Sequence, residues 1–115
     1  MSLVWNARHI DHIVILDLSG RITLGEALIL REEIRDLLAN DQKNILLNLA
    51  DVSYIDSAGL GELVGMLVSV SKRGGGLRLL NLQNRVQELM QITKLYSVFE
   101  TFPDENTALR SVRGT

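Results

Sequence analysis

Apolar residues along the chain follow two different periods. Asn44-Ile45-Leu46-Leu47-Asn48-Leu49 is a nearly continuous apolar run and predicts a buried strand. Leu60, Leu63, Val64, Leu67 and Val68 then recur at the spacing of one helix face. The stretch between them, Val52-Ser53-Tyr54-Ile55-Asp56-Ser57-Ala58-Gly59-Leu60-Gly61, must therefore contain a strand-to-helix turn, with Asp56 and Ser57 at the helix N-terminus. A serine hydroxyl can accept a hydrogen bond from an otherwise unpaired amide there, so Ser57 is the expected N-cap.

The other elements follow from the same two periods. Leu3, Val4 and Trp5 begin a short strand, His9-Ile10-Asp11-His12 makes a turn, and Ile13 to Leu18 form a second strand that Ser19-Gly20 ends. The two strands can pair as a hairpin. A helix from Thr23 to about Ala39 follows, with Thr23 and Glu26 in a capping-box pattern and Leu24, Ala27, Leu28, Ile34, Leu37 and Leu38 as its apolar face. The second helix runs to Lys72-Arg73, Gly74-Gly75-Gly76 stops it, and Leu77-Arg78-Leu79-Leu80 is a strand. Gln83 to Ile92 form a third helix with Val86, Leu89 and Met90 inward. Val98-Phe99 is a short last strand, and Pro103-Asp104 opens a final helix with Ala108, Leu109 and Val112 facing the core. Arg113-Gly114-Thr115 is expected to fray. Helices that alternate with strands after an opening hairpin predict an α/β fold, a mixed sheet of four to five strands with about four helices.

The second helix is unusual on its outer side. With Leu60 at the centre of the buried face and about 100° per residue, Leu63, Val64, Leu67 and Ser71 fall inward, while Ala58, Gly61, Glu62, Gly65 and Ser69 fall opposite. An exposed face normally carries long polar side chains, and each interior glycine costs about 1 kcal/mol relative to alanine. The small strip is a place where another surface approaches closely, a helix packed on both faces, or mere tolerance of glycine.

Composition narrows the function. The chain has 115 residues, 46% of them hydrophobic and 23% charged, which suits one domain spanning 1–115 with a core of its own. A net charge of −2 gives no electrostatic reason to expect direct nucleic-acid binding. Without cysteine there is neither a disulfide nor a thiolate site, and no apolar run approaches a membrane span of roughly 20 residues. The expectation is a cytoplasmic protein. His9 and His12 flank a turn without the further ligands that a metal site needs. The Gly74–Gly76 cluster lacks the Lys-Ser/Thr and the following helix of a phosphate loop, and Gly59, Gly61 and Gly65 have the wrong spacing for a dinucleotide fingerprint. No nucleophile, base and orienting group come together, so a binding or regulatory module is expected rather than an enzyme.

Asn48-Leu49, then Asp56-Ser57-Ala58-Gly59-Leu60-Gly61, then Gly74-Gly75-Gly76-Leu77-Arg78-Leu79 and Leu89-Met90-Gln91-Ile92-Thr93-Lys94-Leu95 resemble the STAS domain family, and in particular its bacterial anti-sigma-factor antagonists. The resemblance covers nearly the whole chain. It implies that Ser57 is phosphorylated by a partner that is both serine kinase and anti-sigma factor, and that the domain is the substrate and binds no cofactor itself. The unphosphorylated form would bind that partner and release the sigma factor, the phosphorylated form would not bind, and a metal-dependent serine phosphatase would reset the switch. Asp56, Ser57, Ala58, Gly59, Gly61, Glu62 and Gly65, with Arg21 and Thr23, are the expected partner-binding residues in a monomer or weak homodimer. One departure stands out. Many family members carry acidic residues just after the glycine that closes the second strand, and here the run is Gly20-Arg21-Ile22-Thr23. Arg21 could change which kinase docks, or neutralise a phosphate. A second reading keeps the STAS surface without sigma control, as a scaffold or a transporter-associated subunit.

Overall fold

The computed structural model describes residues 2–114. Its elements are β1 (Val4–Ile10), β2 (Ile13–Ile22), α1 (Leu24–Ala39), β3 (Asn44–Ile55), α2 (Ser57–Lys72), β4 (Gly76–Leu80), α3 (Asn84–Ile92), β5 (Glu100–Phe102) and α4 (Glu105–Arg113). The five strands among the described residues form one sheet in the order β1-β2-β3-β4-β5. β1 and β2 are antiparallel and the other pairs are parallel.

Strand alternation divides the sheet into two apolar faces. Val14, Leu16, Leu18 and Ile22 of β2, with Ile45, Leu47, Leu49 and Ile55 of β3, share one core with the inner sides of α1, α2 and α3. The next residues along, Ile13, Ile15 and Leu46, share a second core with Ala108 and Leu109 of α4. A strand covered on both faces has no polar side to show, which is why β3 begins as an apolar run.

Several boundaries differ from those the sequence predicts. β1 continues to Ile10, because Ile10 still pairs with Ile13 and only Asp11 and His12 are left for the turn. Ser19 and Gly20 do not end β2. Gly20 has φ +124°, open to glycine and closed to most side chains, and the β2–β3 register shifts beside it. This bulge absorbs the irregularity, and β2 carries Arg21 and Ile22 up to the end of β3. The last strand lies just after Val98-Phe99: Phe99 is buried in the first core, and Glu100–Phe102 do the pairing. Arg113 belongs to α4, where its Nη2 donates to Asp11 Oδ2 at 2.8 Å; Thr115 lies outside the described residues.

On the second face, Arg8 donates to Asp17 from Nε at 2.6 Å and to Glu105 from Nη2 at 2.7 Å, tying β1, β2 and α4 together. Asn48 Nδ2 donates to the same Asp17 carboxylate at 2.8 Å. The Arg8 guanidinium, with the Asn48 amide, holds the Asp17 carboxyl below the usual carboxylate range, and the two carboxylates raise the Arg8 pKa further.

Candidate functional site

β3 delivers Asp56 and Ser57 to the rim of the sheet. Asp56 is still extended, and its N–H donates to the Ile22 carbonyl of the neighbouring strand at 3.2 Å. Its carboxylate Oδ1 accepts from the Gly59 N–H at 2.6 Å, and its carbonyl accepts from Leu60 N at 2.9 Å. The N-cap of α2 is therefore Asp56 and not Ser57. Aspartate and serine cap about equally well; the residue that leaves the sheet extended, three before the amide to be capped, takes the role. Ser57 is the first residue of α2, and no hydrogen bond among the described residues engages its hydroxyl, which is left exposed. The α2 N-terminus behind it favours negative charge.

The outer side of α2 is open. A Cβ at Gly61 or Gly65 would meet nothing within 4 Å, and Ala58 is exposed. Packing on both faces is thereby excluded at these positions. Gly59 is different. It is buried, and a Cβ there would run into the Ile22 carbonyl, so it positions the turn from within and is not an exposed contact. Glu62 is half-buried and accepts from Arg31 Nη1 of α1 at 3.1 Å, which fixes α1 beside the strip. Of the predicted inward face of α2, Leu60 and Leu63 are buried and Val64 and Leu67 pack partly buried against the core, while Ser71 is exposed; Met66 and Val70 complete the buried side, so the helix is rotated by a fraction of a turn from the predicted face.

The inner face of α1 is shifted too. Ala27, Leu30, Ile34, Leu37 and Leu38 are buried, while Leu24 and Leu28, predicted to be core, are 48% and 44% exposed. Leu24 and Leu28 share a helical stripe with Arg31, the residue that reaches Glu62. Val68 of α2 is 46% exposed. The strip of small residues is thus flanked by exposed aliphatic side chains. A leucine on the edge of an inward stripe reads as core from spacing alone, so this apolar margin was not visible in the sequence.

Thr23 is the extended N-cap residue of α1 but its side chain makes no capping bond, and Glu26 accepts from the Leu3 amide at 3.2 Å rather than closing a capping box. Arg21 lies opposite Tyr54 in the β2–β3 ladder, with its guanidinium carbon 4.6 Å from the ring centroid. Asp56, Ser57, Ala58 and Thr23 thus gather around the rim where β2 and β3 end, and Gly61 and Gly65 continue from it along the outer side of α2. A cleft of about 440 Å³ lies elsewhere, between α3 and β5, lined by residues such as Asn81, Gln91, Tyr96 and Phe102. No predicted site residue lines it. No helix among the described residues is long and apolar enough to cross a membrane.

The STAS domain family model matches residues 4–108. This chain belongs to the STAS domain family. As a STAS domain it is similar to the anti-sigma-B factor antagonist of Bacillus subtilis, 34% identical over 100 residues that make up 87% of this chain and 91% of that one. Among solved structures it is similar to TM1081 of Thermotoga maritima, with a TM-score of 0.89, 27% identity, and coverage of 95% of this chain and 94% of that one. SpoIIAA in its unphosphorylated form shares the fold, with a TM-score of 0.74 at 19% identity over 97% of this chain and all of that one, 100%. Five strands in a mixed sheet and four helices are thus the STAS arrangement, and the Asp56-Ser57 turn sits where its third strand meets its second helix.

Proposed function

We propose that this STAS domain is an anti-sigma-factor antagonist whose partner binding is switched by phosphorylation of Ser57. The observation that carries the reading is the exposed, unbonded Ser57 hydroxyl at the head of an open strip of Ala58, Gly61 and Gly65. The similarity to the anti-sigma-B factor antagonist supports the partner class.

In this reading the unmodified domain docks an anti-sigma factor on the rim and the outer side of α2, and the sigma factor is released. Small residues let the partner backbone approach, and the aliphatic margin of Leu24, Leu28 and Val68 supplies apolar area. The partner is also a serine kinase. The γ-phosphoryl group of ATP passes to Ser57 Oγ, ADP leaves, and the hydroxyl proton is lost. The new group carries about −1.5 to −2 charges. Asp56 already caps the Gly59 amide, so the phosphate does not have to break the helix. It stands where the partner must exclude water, and an unpaired buried phosphate costs several kcal/mol. Since about 1.4 kcal/mol is tenfold in affinity, charge exclusion is enough to switch binding without a change of fold. A metal-dependent serine phosphatase returns the domain to its binding form by hydrolysis. The domain acts in the cytoplasm as substrate and binding module, and the chemistry belongs to its partners.

Phosphopeptide mass spectrometry on the protein from its own cells, in growth and under stress, tests this reading. Occupancy of Ser57 that changes with condition is the expected result. A persistently unmodified Ser57, with good peptide coverage and phosphatases inhibited, would overturn the switch and leave Ser57 as a surface residue.

A further inference from the structure

Arg21 is a cation with no carboxylate partner among the described residues. Its guanidinium rests on the Tyr54 ring, and the side chain is exposed. The backbone connects it to the site within a few atoms. Arg21 pairs with Tyr54, Ile22 pairs with Ile55, and the Ile22 carbonyl accepts from Asp56 N at 3.2 Å. Ser57 follows directly. With strands about 4.8 Å apart and a rise of about 3.3 Å per residue, the Arg21 and Ser57 Cα atoms are on the order of 11 Å apart. An extended arginine and a phosphoserine side chain close such a gap between them. Ile22 and Ile55 point into the core beneath α2, so by strand alternation Arg21 and Tyr54 stand on the other face of the sheet, and the exposed arginine reaches the head of α2 around the rim where β2 and β3 end.

We propose that Arg21 is the built-in receiver for a phosphate on Ser57: on modification its guanidinium leaves the Tyr54 ring and pairs with the phosphate. This rests on the reading of Ser57 as the phosphoacceptor. An exposed cation–π contact is a weak tether, whereas a guanidinium–phosphate pair is a charge-assisted and often bidentate interaction. No ion pair has to break for the exchange. Phosphorylation then alters the rim twice. A dianion appears at Ser57, and the Tyr54 ring loses its cover.

The test uses protein carrying phosphoserine at position 57, installed during translation by an expanded genetic code, so that no kinase is needed. The second phosphate ionisation is followed by ³¹P NMR. A free phosphoserine ionises near pH 6. A neighbouring guanidinium should lower that value by about half a unit or more, and Arg21→Gln should return it towards 6, while Arg21→Lys, which keeps the charge and loses the fork, falls between. In the same samples the Arg21 side-chain proton shifts should lose their ring-current displacement when Ser57 is phosphorylated. An ionisation that Arg21→Gln leaves unchanged would overturn the proposal, because the α2 N-terminus alone would then account for any depression. Unmoved Arg21 proton shifts would also overturn it. Neither result bears on whether a kinase modifies Ser57 in cells.

Discussion

Gly59 is pressed against the carbonyl oxygen of Ile22, so that the first turn of α2 and the last residue of β2 are locked together with no room for a side chain. Two residues later in the same helix, Gly61 faces open space. The two glycines should therefore respond in opposite directions to alanine. Gly59→Ala must displace backbone and is expected to destabilise the domain by about 2–3 kcal/mol. Gly61→Ala should be neutral or stabilise it by up to about 1 kcal/mol. Urea titration of both variants checks the pair, and equal responses would contradict the geometry.

Asp56 and Ser57 separate stability from switching. Asp56→Ala removes the oxygen that accepts the Gly59 amide and should cost about 1 kcal/mol. Ser57→Ala removes a hydroxyl without a partner and should shift stability by less than about 0.5 kcal/mol. Thermal unfolding followed by circular dichroism measures both. A larger loss for Ser57→Ala would restore the capping role to the serine.

Partner affinity should follow charge and bulk at the rim. Ser57→Ala is expected to resist phosphorylation and bind the anti-sigma factor continuously. Ser57→Asp should bind at least about tenfold more weakly, a difference of about 1.4 kcal/mol. Gly61→Lys should stay folded, since the position is open, yet lose binding. Isothermal titration against the partner reads all three, and wild-type affinity in Ser57→Asp would refute charge exclusion.

The Arg8–Asp17 pair makes stability depend on acid. The Asp17 carboxyl is lowered in the folded state by the Arg8 guanidinium and the Asn48 amide, whereas an unfolded aspartate titrates at about 3.9. A depressed folded value means that the contribution is complete above about pH 4 and disappears as pH falls through the folded value. Asp17→Asn should cost about 1–2 kcal/mol at pH 7, a charge-assisted bond discounted for partial exposure. Below about pH 4 its stability should fall less steeply than that of the wild type. Parallel profiles in denaturant melts at several pH values would show that the pair contributes nothing.

The periods of the sequence determined the element order, the mixed sheet and the placing of Asp56 and Ser57 between β3 and α2, because burial imposes its repeat on every strand and helix. The family, too, was visible in local runs such as Asp56 to Gly61. Tertiary structure alone decided which of two competent caps serves α2, because that depends on where β3 leaves the ladder against Ile22. It also decided that Leu24 and Leu28 face outward while Leu30 faces inward, since a helix can rotate by a fraction of a turn against its neighbours without changing its spacing. Gly59 and Gly61 are identical as letters. Only the approach of β2 to the start of α2 makes one a packing position and leaves the other on the open surface.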